Sequence, residues 1–123
     1  MTIWQRMVRD FHAKFELPVQ NKPVLLSRAR LSLRMEWIKS ELEEMWLAEQ
    51  CHDLAGVADG IVDAIYFLVG TAVEMGVDLD PLFRAVHEAN MRKVKLPGVD
   101  KIAKPDGWEH PDIAALIEEQ RRR

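Results

Sequence analysis

The chain has 123 residues, enough for one domain whose core removes roughly two-thirds of the unfolded surface from water. Apolar residues make up 48% and charged residues 30%, which excludes a disordered chain. The net charge of −3 argues against a dedicated nucleic-acid coat, and a single cysteine, Cys51, excludes an intrachain disulfide framework and a cysteine zinc cluster. No secretory leader is visible. The most apolar run, Gly60 to Val73, contains Asp63 and falls short of the ~20 residues that span a bilayer. The expectation is a soluble, cytoplasmic protein with no membrane partner and no stable nucleic-acid partner.

Five helices and no strand are predicted. Thr2 caps the first, which runs to about Phe15 with Trp4, Met7, Val8, Phe11 and Phe15 at spacings of three and four. Pro18 and Pro23 mark an extended connector from Glu16 to Leu26. Ser27 caps a second helix that runs to about Gln50. Cys51 to Asp53 forms a short turn, and the third helix runs from Leu54 to Met75, closed by Gly76. Asp80 and Pro81 read as N-cap and first helical residue of a fourth helix reaching about Val94. Leu96 to Pro111 reads as loop, and Asp112 caps a last short helix before Arg121 to Arg123. The pattern is an all-α, antiparallel four-helix-type bundle, one domain over residues 1–123, with its core at 11–116 and a basic tail at 117–123.

Charge is segregated. Ser40 to Phe83 holds ten acids and no lysine or arginine. Residues 92–104 hold Arg92, Lys93, Lys95, Lys101 and Lys104 against Asp100 alone. An acidic run is usually a solvated face, but helical spacing changes the reading here. On the third helix Asp59, Asp63, Tyr66 and Gly70 share one face, and almost everything else is apolar. On the second, Glu41 and Glu44 share a face with Arg34, Trp37, Met45 and Ala48. Buried carboxylates one turn apart repel each other and need a cation, a basic partner or water.

The short turn makes the two helices antiparallel, so four carboxylates, Glu41, Glu44, Asp59 and Asp63, face one space. Hard oxygen donors in that number suit Mg²⁺, with Mn²⁺ as the other candidate. Zinc is disfavoured for want of cysteine and paired histidine, and no Glu-x-x-His of the di-iron type occurs. Magnesium held by carboxylates usually meets phosphate oxygens, which gives the flanking arginines and lysines a role as phosphate clamps.

LRMEWIKSELEEM (33–45), GVADGIVDAIYFLVGTAVEMGV (56–77), VHEANMRKV (86–94) and KIAKPDGWEHPDIAALI (101–117), preceded by FHAKFELPV (11–19), resemble the all-α nucleoside triphosphate pyrophosphohydrolases. Within that MazG-like superfamily they resemble a branch labelled phosphoribosyl-ATP pyrophosphohydrolase-like. The resemblance implies cleavage between the α and β phosphates of a nucleoside triphosphate, with Mg²⁺, by paired bundles in a homodimer or dimer of dimers. The superfamily pattern is Glu-x-x-Glu on one helix and Glu-x-x-Asp on the next. Glu41 and Glu44 match the first pair and Asp59 the second Asp, with Asp63 one turn on. The sequence departs from it at Gly56, or at Gly60 if Asp63 is the matching Asp, and at Ser40.

On this reading Glu41, Glu44 and Asp63 are catalytic, and with Asp59 they are the metal ligands. Arg34, Lys93 and Lys104 steady phosphates. Trp37 and Trp108 are candidate base contacts, Tyr66 faces the carboxylates as a further substrate-site residue, and Asn90 and Lys93 are substrate contacts implied by the resemblance. Two alternatives stand beside it: a catalytically weak helical module that binds a nucleotide or a partner, and a phosphoribosyl-ATP pyrophosphohydrolase.

Overall fold

The computed structural model describes residues 1–123 as five helices: α1 (Ile3–Lys14), α2 (Arg28–Gln50), α3 (Leu54–Met75), α4 (Leu79–Met91) and α5 (Ile113–Arg121). Thr2, Ser27, Asp53 and Asp112 cap α1, α2, α3 and α5 through side-chain oxygens that accept backbone N–H groups of the first turn. His52, at φ 52°, turns the chain between α2 and α3. Gly76 closes α3 at φ 68°, and a Cβ there would lie 2.5 Å from the Lys22 carbonyl oxygen.

Two boundaries differ from expectation. The α4 cap is Asp78, which accepts the Asp80 N–H, so Asp80 and Pro81 lie inside the first turn. Proline is tolerated there because first-turn N–H groups have no partner within the helix. α4 stops at Met91, and Val94–Lys95 (β1) pairs antiparallel with Ile102–Ala103 (β2). This basic hairpin stands where the end of the fourth helix and a loop were expected, and no strand was.

α2 and α3 form the long antiparallel hairpin that organises the molecule, and α1 packs across α3. Three glycines let α2 approach closely. A Cβ on Gly60 would lie 2.9 Å from the Met45 Cβ, one on Gly56 2.9 Å from the Ala48 Cβ, and one on Gly70 would strike the Arg34 guanidinium. The extended connector runs past the far end of α3, where Gln20 and Val24 donate to the Val73 and Met75 carbonyls. Two buried glutamines then fix the entry to α4. Gln5 donates to the Val77 carbonyl and accepts the Leu79 N–H, while Gln120 donates to the Asp78 carbonyl and accepts the Asp78 N–H.

A single chain does not close a four-helix bundle. α4 packs on α5 and makes no extended contact with α2 or α3. Its apolar residues Phe83 and Met91 stay 74% and 71% exposed. α3 was read as buried on most sides, yet Ile61, Val62 and Leu68 are open, as are Met35, Leu42 and Trp46 of α2. By length and composition α3 could cross a membrane, contrary to the reading of its sequence. It instead packs on α1 and α2 and carries Asp59, Asp63 and Glu74, as the core helix of a folded domain does.

Candidate active site

The antiparallel register of α2 and α3 stacks three chemically different levels along one cleft. The level nearest the connector holds Glu74, with 0% exposure, and 3%-exposed Arg34. Arg30 grips Glu74 with two hydrogen bonds of 2.7 and 2.9 Å. Arg34 Nη1 donates to the same carboxylate, its Nε to Thr71 Oγ1 at 2.8 Å and its Nη2 to the Phe67 carbonyl at 2.9 Å. His12 Nδ1 stands 3.8 Å from Glu74 and 3.0 Å from the Pro18 carbonyl. Burial alone pushes the Glu74 carboxyl up, but the Arg30 hydrogen bonds and the two arginine charges outweigh it and hold the group below the ordinary carboxylate range. Burial pushes Arg34 down, and the hydrogen bond to Glu74 pushes Arg30 up.

Arg34, expected to steady phosphates, spends its side-chain nitrogens on Thr71, Glu74 and the Phe67 carbonyl. Three of its nitrogens are committed inside the protein and hold α2 against α3. Local sequence gave no sign of this, because the partner is 40 residues away. The available signal was that Arg30 and Arg34, four apart, face Glu74 once α2 and α3 are set antiparallel.

One level on, the cleft is aromatic. Trp37 lies 5.7 Å from Phe67, and Phe11 meets Tyr66 edge-on at 5.4 Å. These four rings, with His12, Leu17 and the two arginines, line a cavity of about 320 Å³. Burial raises the Tyr66 phenol above its ordinary value. Trp37 and Tyr66, both expected near the substrate, thus border one cavity a single turn from the carboxylates.

The last level holds Glu41 and Glu44 of α2 opposite Asp63 and Asp59 of α3. None of the four is in an ion pair. Glu41 Oε2 is shut off from solvent and has no hydrogen-bond partner. Desolvation, then the charges of Glu44, Asp63 and Asp59, raise the Glu41 carboxyl. A buried acceptor among like charges fits a hard divalent cation, and all four donors are the oxygens such a cation takes. As placed, no three acidic, histidine or cysteine side chains already converge on one point, so closing on an ion would require side-chain rotation.

The remaining expected contacts lie elsewhere. The Nζ atoms of Lys93 and Lys104 stand 5.0 and 5.1 Å from the centre of the Trp108 ring. The Trp108 indole donates to the Ala89 carbonyl at 2.7 Å, which anchors the loop on α4. Asn90 is exposed on α4. None of these four residues forms an ion pair with Glu41, Glu44, Asp59 or Asp63 within the chain.

A family model described as phosphoribosyl-ATP pyrophosphohydrolase matches residues 8–90, a span that holds every level of the cleft. The chain belongs to that family. No curated protein matches it. Membership in this family places the chain in the MazG-like superfamily and makes it a pyrophosphohydrolase, a hydrolase of acid anhydrides. The family depends on a divalent metal, generally Mg²⁺. At Gly56 and Gly60, where the resemblance led us to expect a glutamate, the space of a Cβ is already taken by α2 or the cap.

Proposed function

We propose that the protein is a cytoplasmic, Mg²⁺-dependent enzyme that converts a nucleoside triphosphate, ribo or deoxy, into its monophosphate and pyrophosphate. The observation that carries this is the set of four unpaired carboxylates one turn from an aromatic cavity of nucleoside size. Glu41, Glu44, Asp59 and Asp63 would hold Mg²⁺, or Mn²⁺ in its place. When bound, the ion offsets the charge of the phosphates. The chain's own groups do the rest. Trp37 stacks on the base and Tyr66 closes the cavity beside it, which sets the triphosphate end toward the carboxylates. Glu41, with its carboxyl raised and Oε2 free of partners, accepts a proton from the attacking water. Water oxygen bonds to phosphorus as the α–β anhydride breaks, and pyrophosphate leaves.

The family description favours a second substrate, phosphoribosyl-ATP. The working form in this proposal is a homodimer or a dimer of dimers. Its support is the open apolar flank of the hairpin, where Met35, Leu42 and Trp46 of α2 continue into Ile61 and Leu68 of α3.

The test is pyrophosphate release from each NTP and dNTP and from phosphoribosyl-ATP, with and without Mg²⁺, resolving monophosphate from diphosphate. Metal-dependent monophosphate and pyrophosphate from free nucleotides, lost in Glu44→Gln and Asp63→Asn, is the expected result. Turnover of phosphoribosyl-ATP alone would replace the substrate. Turnover indifferent to both variants would remove the site.

A further inference from the structure

The aromatic cavity has one polar wall, the arginine level, and the hydrogen bonds of that wall can be followed group by group. Glu74 Oε1 accepts from Arg30 Nε, and Oε2 accepts from Arg30 Nη2 and Arg34 Nη1. The Phe67 carbonyl accepts from Arg34 Nη2 and from the Thr71 hydroxyl, and Thr71 Oγ1 accepts from Arg34 Nε. His12 Nδ1 donates to the Pro18 carbonyl, which leaves the lone pair of the neutral ring on Nε2. That nitrogen is packed against α3, where a Cβ on Gly70 would lie 3.0 Å from it and 2.5 Å from Arg34 Nη2. Every acceptor of the wall is engaged or covered.

A donor is left over. Arg30 spends Nε and Nη2 on Glu74, and its Nη1 meets no acceptor in the chain. The side chain is 27% exposed, lines the cavity, and holds its guanidinium carbon 5.4 Å from the centre of the Trp37 ring. Charge points the same way. Two guanidiniums meet one carboxylate, so the wall keeps a net positive charge.

A base held among these rings, with its triphosphate toward the carboxylates, turns its far edge to the arginine level. That edge carries the exocyclic group that divides the bases. Guanine, hypoxanthine, uracil and thymine present a carbonyl oxygen there, whereas adenine and cytosine present an amino group. A carbonyl takes the free Arg30 donor in a charge-assisted hydrogen bond. An amino group finds no free acceptor on that wall, loses its water, and faces positive charge. The Tyr66 hydroxyl can donate or accept and so favours neither class.

We propose that Arg30 is a specificity-determining residue that selects nucleotides whose base carries a carbonyl at this edge over those that carry an amino group. This rests on the nucleotide site described under Proposed function and goes further in naming the class of base and the atom that reads it.

Two measurements test it. In the first, kcat/KM is compared within two pairs that differ at this edge, ITP with ATP and UTP with CTP. The carbonyl member of each pair is expected to lead by about tenfold or more, through KM. Arg30→Lys keeps a positive charge for Glu74 but has no planar fork, and the ratio should fall toward one. A loss of structure alone would lower both members together and leave the ratio where it was. Equal turnover within both pairs overturns the inference and leaves the hydrolase standing, and a folded Arg30→Lys chain that keeps the full preference overturns it too. In the second, which needs neither metal nor turnover, wild-type protein is titrated calorimetrically with IMP and with AMP. Tighter binding of IMP is expected, and equal or reversed affinities overturn the inference. A wild type that hydrolyses no triphosphate yet prefers IMP defeats the assigned reaction and leaves the reading of the base in place.

Discussion

The two ends of the α2–α3 hairpin solve the same electrostatic problem in opposite ways. At one end Glu74 loses all contact with water and is met by Arg30 and Arg34. At the other, Glu41 loses part of its solvent and is met by three more carboxylates. Both sets of acids sit on the same pair of helices, a few turns apart. A paired buried charge holds the hairpin closed. An unpaired one stores a demand for a cation, which a ligand can satisfy. The contrast separates an acid that ties the helices together from acids left free to take a cation.

The sharpest way to break the contrast is at the paired end. Glu74→Gln leaves Arg34 buried with its charge uncompensated and should cost about 3–5 kcal/mol, read as a lowered denaturation midpoint. At the unpaired end the sign changes. Glu44→Gln or Asp63→Asn should lower kcat about a hundredfold or more, yet leave metal-free stability within about 0.5 kcal/mol or raise it. If both ends respond alike in melts, the distinction fails.

Gly60→Ala probes the link between the ends. Its Cβ meets Met45 at 2.9 Å, so α2 must move off α3, at a cost of about 1–3 kcal/mol. The separation of the carboxylate pairs changes with it, so Mg²⁺ dependence should shift to higher concentration. The smallest effect is on pH dependence. Glu74 is held below its ordinary range, so its stabilisation is present above that range and is lost as pH falls through the folded value. Glu41 is raised, so its contribution is present below the ordinary carboxylate range and is lost as pH rises through the folded value. Metal-free melts across the acid limb should show both slopes, the first abolished by Glu74→Gln and the second by Glu41→Gln.

Much of the helical framework was legible because it is written locally. Thr2, Ser27, Asp112 and Gly76 mark ends by capping chemistry that reaches only three or four residues. The facing of Glu41 and Glu44 toward Asp59 and Asp63 follows from helical period and a short turn. What was not legible depends on distance. Asp78 outcompetes Asp80 as the α4 cap because Gln5 and Gln120 hold the backbone at Val77 and Asp78 from outside. A two-residue ladder is too short to show a period of two. Arg34 resembles any other arginine beside an acidic helix until Glu74 arrives from the neighbouring one. Lys93 and Lys104 share a sequence neighbourhood with the site's family motifs, yet their position is set by where α4 packs.

The close contact at Gly56 and Gly60 also bears on which substitutions this chain can accept. A carboxylate side chain introduced at either place would meet Ala48 or Met45 before it reached an ion. Adding an acid there therefore calls for a second replacement on the facing helix, whereas Asp63, further along α3, offers an oxygen donor without disturbing that packing.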